Sequence, residues 1–193
     1  MCSSDLDLEK FAAHYQDKFI LTPENCAVLG ELYDYLSRLK TTWMHTTWID
    51  EEKEELICDQ FGIGPGDVYR HTESVRWLLH AAGQIARLTG QRKLTFDLED
   101  LRNRVHYGIK EELLEIVQLR GVGRVRARIL FNKGFKKLSD FKYKSVDELS
   151  KINQIGKTLA QDILHQIDNP APKKFRERAT AETSTTANDE WED

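Results

Sequence analysis

Along residues 67 to 88, apolar side chains return every three or four positions. At about 100° per residue, Val68, Val75, Leu79, Ala82 and Ala86 fall on one side, with Leu78 and Ile85 at its edge. Such a stripe predicts an amphipathic helix laid on a core. The same spacing through Val28, Leu29, Leu32, Tyr33, Leu36 and Leu39 predicts a helix to about Thr47, opened by Thr22 as N-cap with Pro23 behind it. Trp43 and Trp48 near its end read as core. Shorter helices are expected from Asp5 to Tyr15, after an Asp50 cap to about Gln60, and from Phe96 to Tyr107. Gly62 to Gly66 is a turn, Asp67 opens the striped helix and Gly90 ends it. Strand-like alternation is almost absent, so the fold class is all-α, a helical bundle followed by a tandem of helical hairpins.

The hairpins are read from their turns. Leu119-Arg120-Gly121-Val122-Gly123-Arg124 is a Gly-x-Gly turn that opens a helix carrying Arg124, Arg126 and Arg128, closed by Asn132-Lys133-Gly134. Glycines allow a tight turn, and the helix start adds free N–H groups and the positive end of its dipole. With arginines alongside, phosphate is the anion this site suits. This is the pattern of a helix-hairpin-helix, which grips a nucleic-acid backbone without reading sequence. The alternative is a glycine-capped joint between two structural helices. Arg124 and Arg128, four residues apart, share a helix face beside the turn. A second hairpin follows: Ser145-Val146-Asp147-Glu148 is a capping box. Ile152-Asn153-Gln154-Ile155-Gly156-Lys157 then repeats the turn, with Gln154 at the first glycine position. This degenerate copy reads as structural.

Charge sharpens the picture. The 193-residue chain carries a net charge of −4. Residues 102 to 137 nevertheless hold ten Lys/Arg against three Asp/Glu, and residues 1 to 66 hold five against thirteen. A nucleic-acid ligand responds to the local field, so a restricted basic surface is expected. On the striped helix, Arg70 and Trp77 lie seven residues apart, within about 20° of each other, opposite the apolar side. Trp77 there is either a stacking platform for bases or a contact with another domain. Three cysteines without a CxxC pair point to free thiols and a cytoplasmic protein. No apolar run approaches a membrane span, so no membrane partner is expected. Gly156-Lys157-Thr158 mimics the end of a phosphate-binding loop. Position 151 is lysine rather than the required glycine, so no nucleotide site is assigned. No catalytic constellation or metal cluster is recognisable. His71, His80 and His106 read as solvated or core groups. From Asn169 onward the chain is polar and charged, the composition of a disordered tail. Trp191 among its acidic residues is either a short docking motif or plain tail.

Trp48-Ile49-Asp50, Phe61-Gly62-Ile63-Gly64-Pro65-Gly66-Asp67 and Glu73-Ser74-Val75-Arg76-Trp77-Leu78 together resemble the ratchet domain of archaeal superfamily-two DNA helicases, relatives of helicase Q and the polymerase theta helicase. Arg104-Val105-His106-Tyr107-Gly108-Ile109-Lys110-Glu111-Glu112-Leu113-Leu114, running into the Gly121 turn, is similar to that family's C-terminal helical domain. The resemblance covers residues 25 to 168 and implies three parts: a partial ratchet domain at 1–100, a helix-hairpin-helix domain at 101–168 and a tail at 169–193. It also implies that Arg70 and Trp77 contact successive bases of a single strand. Their axial separation of about 10.5 Å matches three stacked nucleotides at about 3.4 Å each. The implied DNA-binding set is Arg70, Trp77, Gly121, Val122, Gly123, Arg124, Arg126, Arg128 and Lys133. The implied partners are single-stranded or forked DNA, with motor domains or replication proteins reached through the tail, and a nucleoid-associated location. The family's motor domains, winged helix and nucleotide motifs are missing, so no cofactor is expected in this chain. ATP and magnesium would enter only through the motor. The chain is then a piece of a longer helicase or a separate product that kept the DNA-handling end.

Overall fold

The computed structural model describes residues 3–15 and 29–169. Among them the chain is all-α: α1 Ser3–Tyr15, α2 Leu29–Ile49, α3 Glu54–Phe61, α4 Pro65–Leu88, α5 Arg92–Tyr107, α6 Arg124–Asn132, α7 Val146–Ser150 and α8 Lys157–Asp168. Single 3-10 turns at Glu111–Leu113, Ile116–Gln118 and Leu138–Phe141 join the later helices. The expected Thr22 cap and the tail from residue 170 lie outside the described residues.

Several starts differ from the sequence expectation: α1 opens at Ser3 rather than Asp5 and α5 at Arg92 rather than Phe96, and two more have a clear local cause. α4 begins at Pro65 rather than Asp67, because proline needs no amide partner in a first turn. Asp67 sits inside that turn, and its Oδ2 accepts the Gly64 N–H at 3.0 Å. α3 begins at Glu54 behind Lys53, so Asp50 is not its cap. The Asp50 amide still bonds back to Thr46, and Glu51 turns left-handed at φ 72°. These residues form a corner that carries the Glu51 carboxylate out of the helix path.

The striped face of α4 turns inward as its spacing requires, with Val68 and Ala86 buried at 2% and 3% exposed and Val75, Leu79 and Ala82 half-buried. Two cores result. Met44, Ile57, Phe61 and Val68 form the first, with Trp43 and Trp48 packed against it. The second runs from Ile109 through Leu113, Val122, Leu130, Phe141 and Leu149 to Ile163. α5 passes residue 100 without a break and ends at Gly108, where the second core starts.

Trp48 joins the two cores. Its Nε1 donates to the Val105 carbonyl at 2.8 Å. Its ring lies so close to Gly108 (φ +63°) that a Cβ there would meet it at 2.5 Å. Only glycine supplies both the left-handed turn and the space.

His45 is the polar exception in the interior. Its Nδ1 lies 2.9 Å from the Thr41 carbonyl, so that nitrogen carries the proton. Nε2 is buried without a partner among the described residues. Burial pushes its pKa below the ordinary histidine value, only partly opposed by the bond to the Thr41 carbonyl.

Two outcomes are expected. Gly108→Ala should cost about 2–4 kcal/mol in urea unfolding, from left-handed strain plus overpacking. Gly90→Ala, also left-handed but with open space around it, should cost only about 1–2 kcal/mol. Equal losses would mean that the Trp48 contact is slack. His45 favours the neutral ring when folded, so its contribution is complete above about pH 6.5 and fades as pH falls below that value. His106, also lowered, acts in the same direction. Melting between pH 7 and 5 should therefore show an acid loss that His45→Gln reduces; an unchanged profile would clear His45.

Candidate nucleic-acid interface

The Gly121 turn has the expected shape. Gly121 adopts φ +79°, and Gly123 is the N-cap of α6, with no side-chain cap on the first-turn amides. Val122 between them is 3% exposed, so it offers only backbone outward while its side chain anchors the turn in the second core. A Cβ on Gly121 would meet Leu159 of α8 at 2.8 Å, which ties this turn to the second hairpin. That second turn has the same backbone design. Gln154 takes φ 62°, Ile155 is buried and Gly156 is the N-cap of α8. Lys157-Thr158 thus follows a helical hairpin rather than a strand, which does not fit a nucleotide phosphate loop.

The arginines of α6 do something the sequence did not indicate. Arg128 makes a two-pronged bond to Glu51, Nε to Oε2 at 2.7 Å and Nη2 to Oε1 at 2.6 Å. Its Nη1 also reaches Glu112 at 2.8 Å. Burial works against the Glu51 carboxylate, but Arg128, the Lys110 amide and nearby Arg124 outweigh it and hold its pKa below the usual range. The Arg128 value is raised in turn, chiefly by the bond to Glu51. Arg124 lies over the Trp48 ring, 4.6 Å from its centroid, and donates to the Glu52 carbonyl. Burial lowers its pKa, with Glu51, Glu52 and Glu54 opposing. The shared face of Arg124 and Arg128 is therefore turned to the α2–α3 corner, where carboxylates already balance its charge. Arg126 points elsewhere. It is exposed and donates to the Gly121 carbonyl at 2.7 Å and the Gln154 carbonyl at 3.2 Å, bracing the two turns while keeping its net charge. Lys133, the C-cap of α6, is exposed.

On α4, Trp77 is 69% exposed, on the side away from the buried stripe. With Glu73, Ser74 and Leu78 it lines an open depression of about 460 Å³. Arg70, one turn before Ser74, is exposed and pairs with Asp67 within its own helix. Such a solvent-facing pair contributes about 0–1 kcal/mol, so an incoming phosphate can displace it. The geometry leaves Arg70 and Trp77 accessible on one face of a helix, and leaves Arg126 and the turn amides at the hairpins. Sequence reasoning missed Glu51, Glu112 and Gly108 as partners of this region. Glu51 lies 77 positions from Arg128, too far for any local spacing rule to pair them.

The Arg128–Glu51 pair is testable by a double-mutant cycle. Glu51→Gln and Arg128→Gln should each lower stability by about 1–3 kcal/mol. Their effects should fall short of additivity by about 0.5–3 kcal/mol. Additive losses would mean that the two groups do not support each other.

Comparisons with known proteins agree with this arrangement. Residues 2–108 match the family model for archaeal helicase, domain 4, and residues 111–169 match the SAM-like helix-hairpin-helix tandem. The chain is similar to the ATP-dependent DNA helicase Hel308 of Pyrobaculum calidifontis, 40% identical over 66% of this chain and 18% of that protein. It is 34% identical to Hel308 of Pyrococcus abyssi, over 84% of this chain and 24% of that protein. Hel308 of Caldivirga maquilingensis is 38% identical over 69% and 18%. The chain thus spans about a fifth of the length of these relatives. The two matched segments meet at residues 108–111, where the first core passes to the second, and the chain belongs to the archaeal helicase domain 4 family, similar to the C-terminal region of archaeal superfamily-two helicases.

Proposed function

We propose that this chain is the DNA-handling C-terminal module of an ATP-dependent 3′-to-5′ helicase that acts on single-stranded DNA at replication forks and in repair. The observation that carries the reading is Trp77, an indole 69% exposed beside an accessible arginine on the polar face of α4. A tryptophan that folding leaves in water is suited to a flat ligand. The strand would lie along α4, with a base on Trp77 and a phosphate at Arg70. The hairpin amides and Arg126 would hold backbone phosphates without regard to sequence. ATP and magnesium chemistry would belong to motor domains outside this chain.

A second reading has its own support. Leu78, Ile85 and Leu88 are 57%, 63% and 86% exposed on the same helix. Exposed leucines and isoleucine side by side fit a protein contact, so α4 would then bind another domain or an adaptor's partner.

Trp77→Ala separates the two. It should weaken binding to single-stranded DNA by about 1–3 kcal/mol, with blunt duplex of the same length less affected. Melting should stay within about 0.5 kcal/mol of the parent, as for an exposed position. Arg70→Ala should weaken the same binding, with losses that couple if one strand spans both residues. Unchanged single-strand affinity in both variants would overturn the ratchet assignment and favour the protein contact.

A further inference from the structure

Residues 133 to 144 carry five lysines and a single carboxylate, Asp140. The Asp140 Oδ2 accepts the amides of Lys136 and Lys137 at 2.8 and 2.9 Å, closing the 3-10 turn, and these bonds lower its pKa. The lysine side chains have little to hold. Among the described residues Lys133, Lys137 and Lys142 enter no ion pair. Lys144 reaches Glu148 only at 3.7 Å, with both side chains largely in water. Lys133 and Lys144 line one open depression of about 530 Å³, together with Phe135 and the carboxylates of Asp140 and Glu148. Between Lys142 and Lys144 stands Tyr143, 94% exposed, whose ring contributes nothing to either core.

We propose that Tyr143 and the lysines around it form a second single-strand contact surface, separate from the α4 face and from the α6 arginines. This rests on the reading that the chain handles DNA. The argument is one of available charge. Phosphate contacts strengthen binding by releasing counterions from DNA, and a cation serves this best when water is its only partner beforehand. Arg128 must first leave two carboxylates, and Arg124 must leave the Trp48 ring; Lys133, Lys142 and Lys144 leave almost nothing. An acidic peptide would satisfy the lysines equally. The bare tyrosine ring between two of them favours a ligand with an anionic backbone and flat unstacked faces, which is a single strand.

The experiment follows binding of a labelled thymidine oligonucleotide to the whole chain by fluorescence anisotropy across a salt series. The triple variant Lys133→Gln, Lys142→Gln, Lys144→Gln should flatten the slope of log affinity against log salt by about two, at ~0.7 per lost contact. Arginine at the same three positions should keep it. Tyr143→Ala should weaken binding about 5- to 100-fold at every salt concentration with the slope unchanged. All four positions are exposed, and equal melting temperatures will confirm that the fold is intact. Parent-like binding by both the triple variant and Tyr143→Ala, with a steep parental slope, overturns this surface while leaving DNA binding in place. A parent chain that binds no oligonucleotide overturns the DNA reading itself. Binding to polyglutamate alone, lost in the triple glutamine variant, overturns the proposal in favour of an acidic protein partner.

Discussion

The arrangement depends on a clasp between the corner after α2 and the first hairpin. Trp48 lies against Gly108, with Arg124 over its ring, and Glu51, three residues after Trp48, grips Arg128. The contact combines three kinds of interaction. The Trp48 indole fills space that no side chain at residue 108 could share. The guanidinium of Arg124 meets the ring's electron-rich face. The Glu51–Arg128 pair is two-pronged and half-buried, the geometry in which an ion pair contributes most. Glu51 accepts a left-handed backbone to reach it. Without the clasp, two small helical cores would be joined through the end of α5 with less to set their angle. With it, the α4 face and the hairpin turns keep fixed relative positions, as a strand running from one to the other would need.

The clasp changes what the arginines of α6 mean. A Gly-x-Gly turn followed by three arginines reads as a phosphate grip, and the turn itself has that backbone. Yet of Arg124, Arg126 and Arg128, two bind the protein's own α2–α3 corner and the third braces the two turns. The charges of Arg124 and Arg128 are drawn inward as intramolecular structure, while Arg126 and the lysines from Lys133 to Lys157 stay exposed. This division follows from side-chain chemistry. The planar fork of arginine suits fixed two-pronged partners, while a lysine ammonium works as a mobile, hydrated point charge.

The two hairpins also prove more alike than their sequences. Gln154 occupies the left-handed position that Gly121 occupies in the first turn, and each turn buries the next residue, Val122 or Ile155. Gly121 and Leu159 then lock the pair together. The repeat is one of backbone and core, with different residues on its surface.

Much of this was legible in the chain alone, where the physics is local. The α4 stripe, the exposed side of Arg70 and Trp77, the Ser145 capping box and the Gly121 turn all rest on interactions within a few residues, so spacing and residue type announce them. α3 escaped because its start is set from afar: Asp50 would cap it in isolation, but Glu51 is drawn across to Arg128 and Lys110. The intramolecular partners of Arg124 and Arg128 escaped for the same reason. Sequence determined that a basic helix would follow a phosphate-suited turn. Only the tertiary structure decided where its charges point, because electrostatic pairing acts through space and the carboxylate that claims Arg128 lies 77 residues away in the chain.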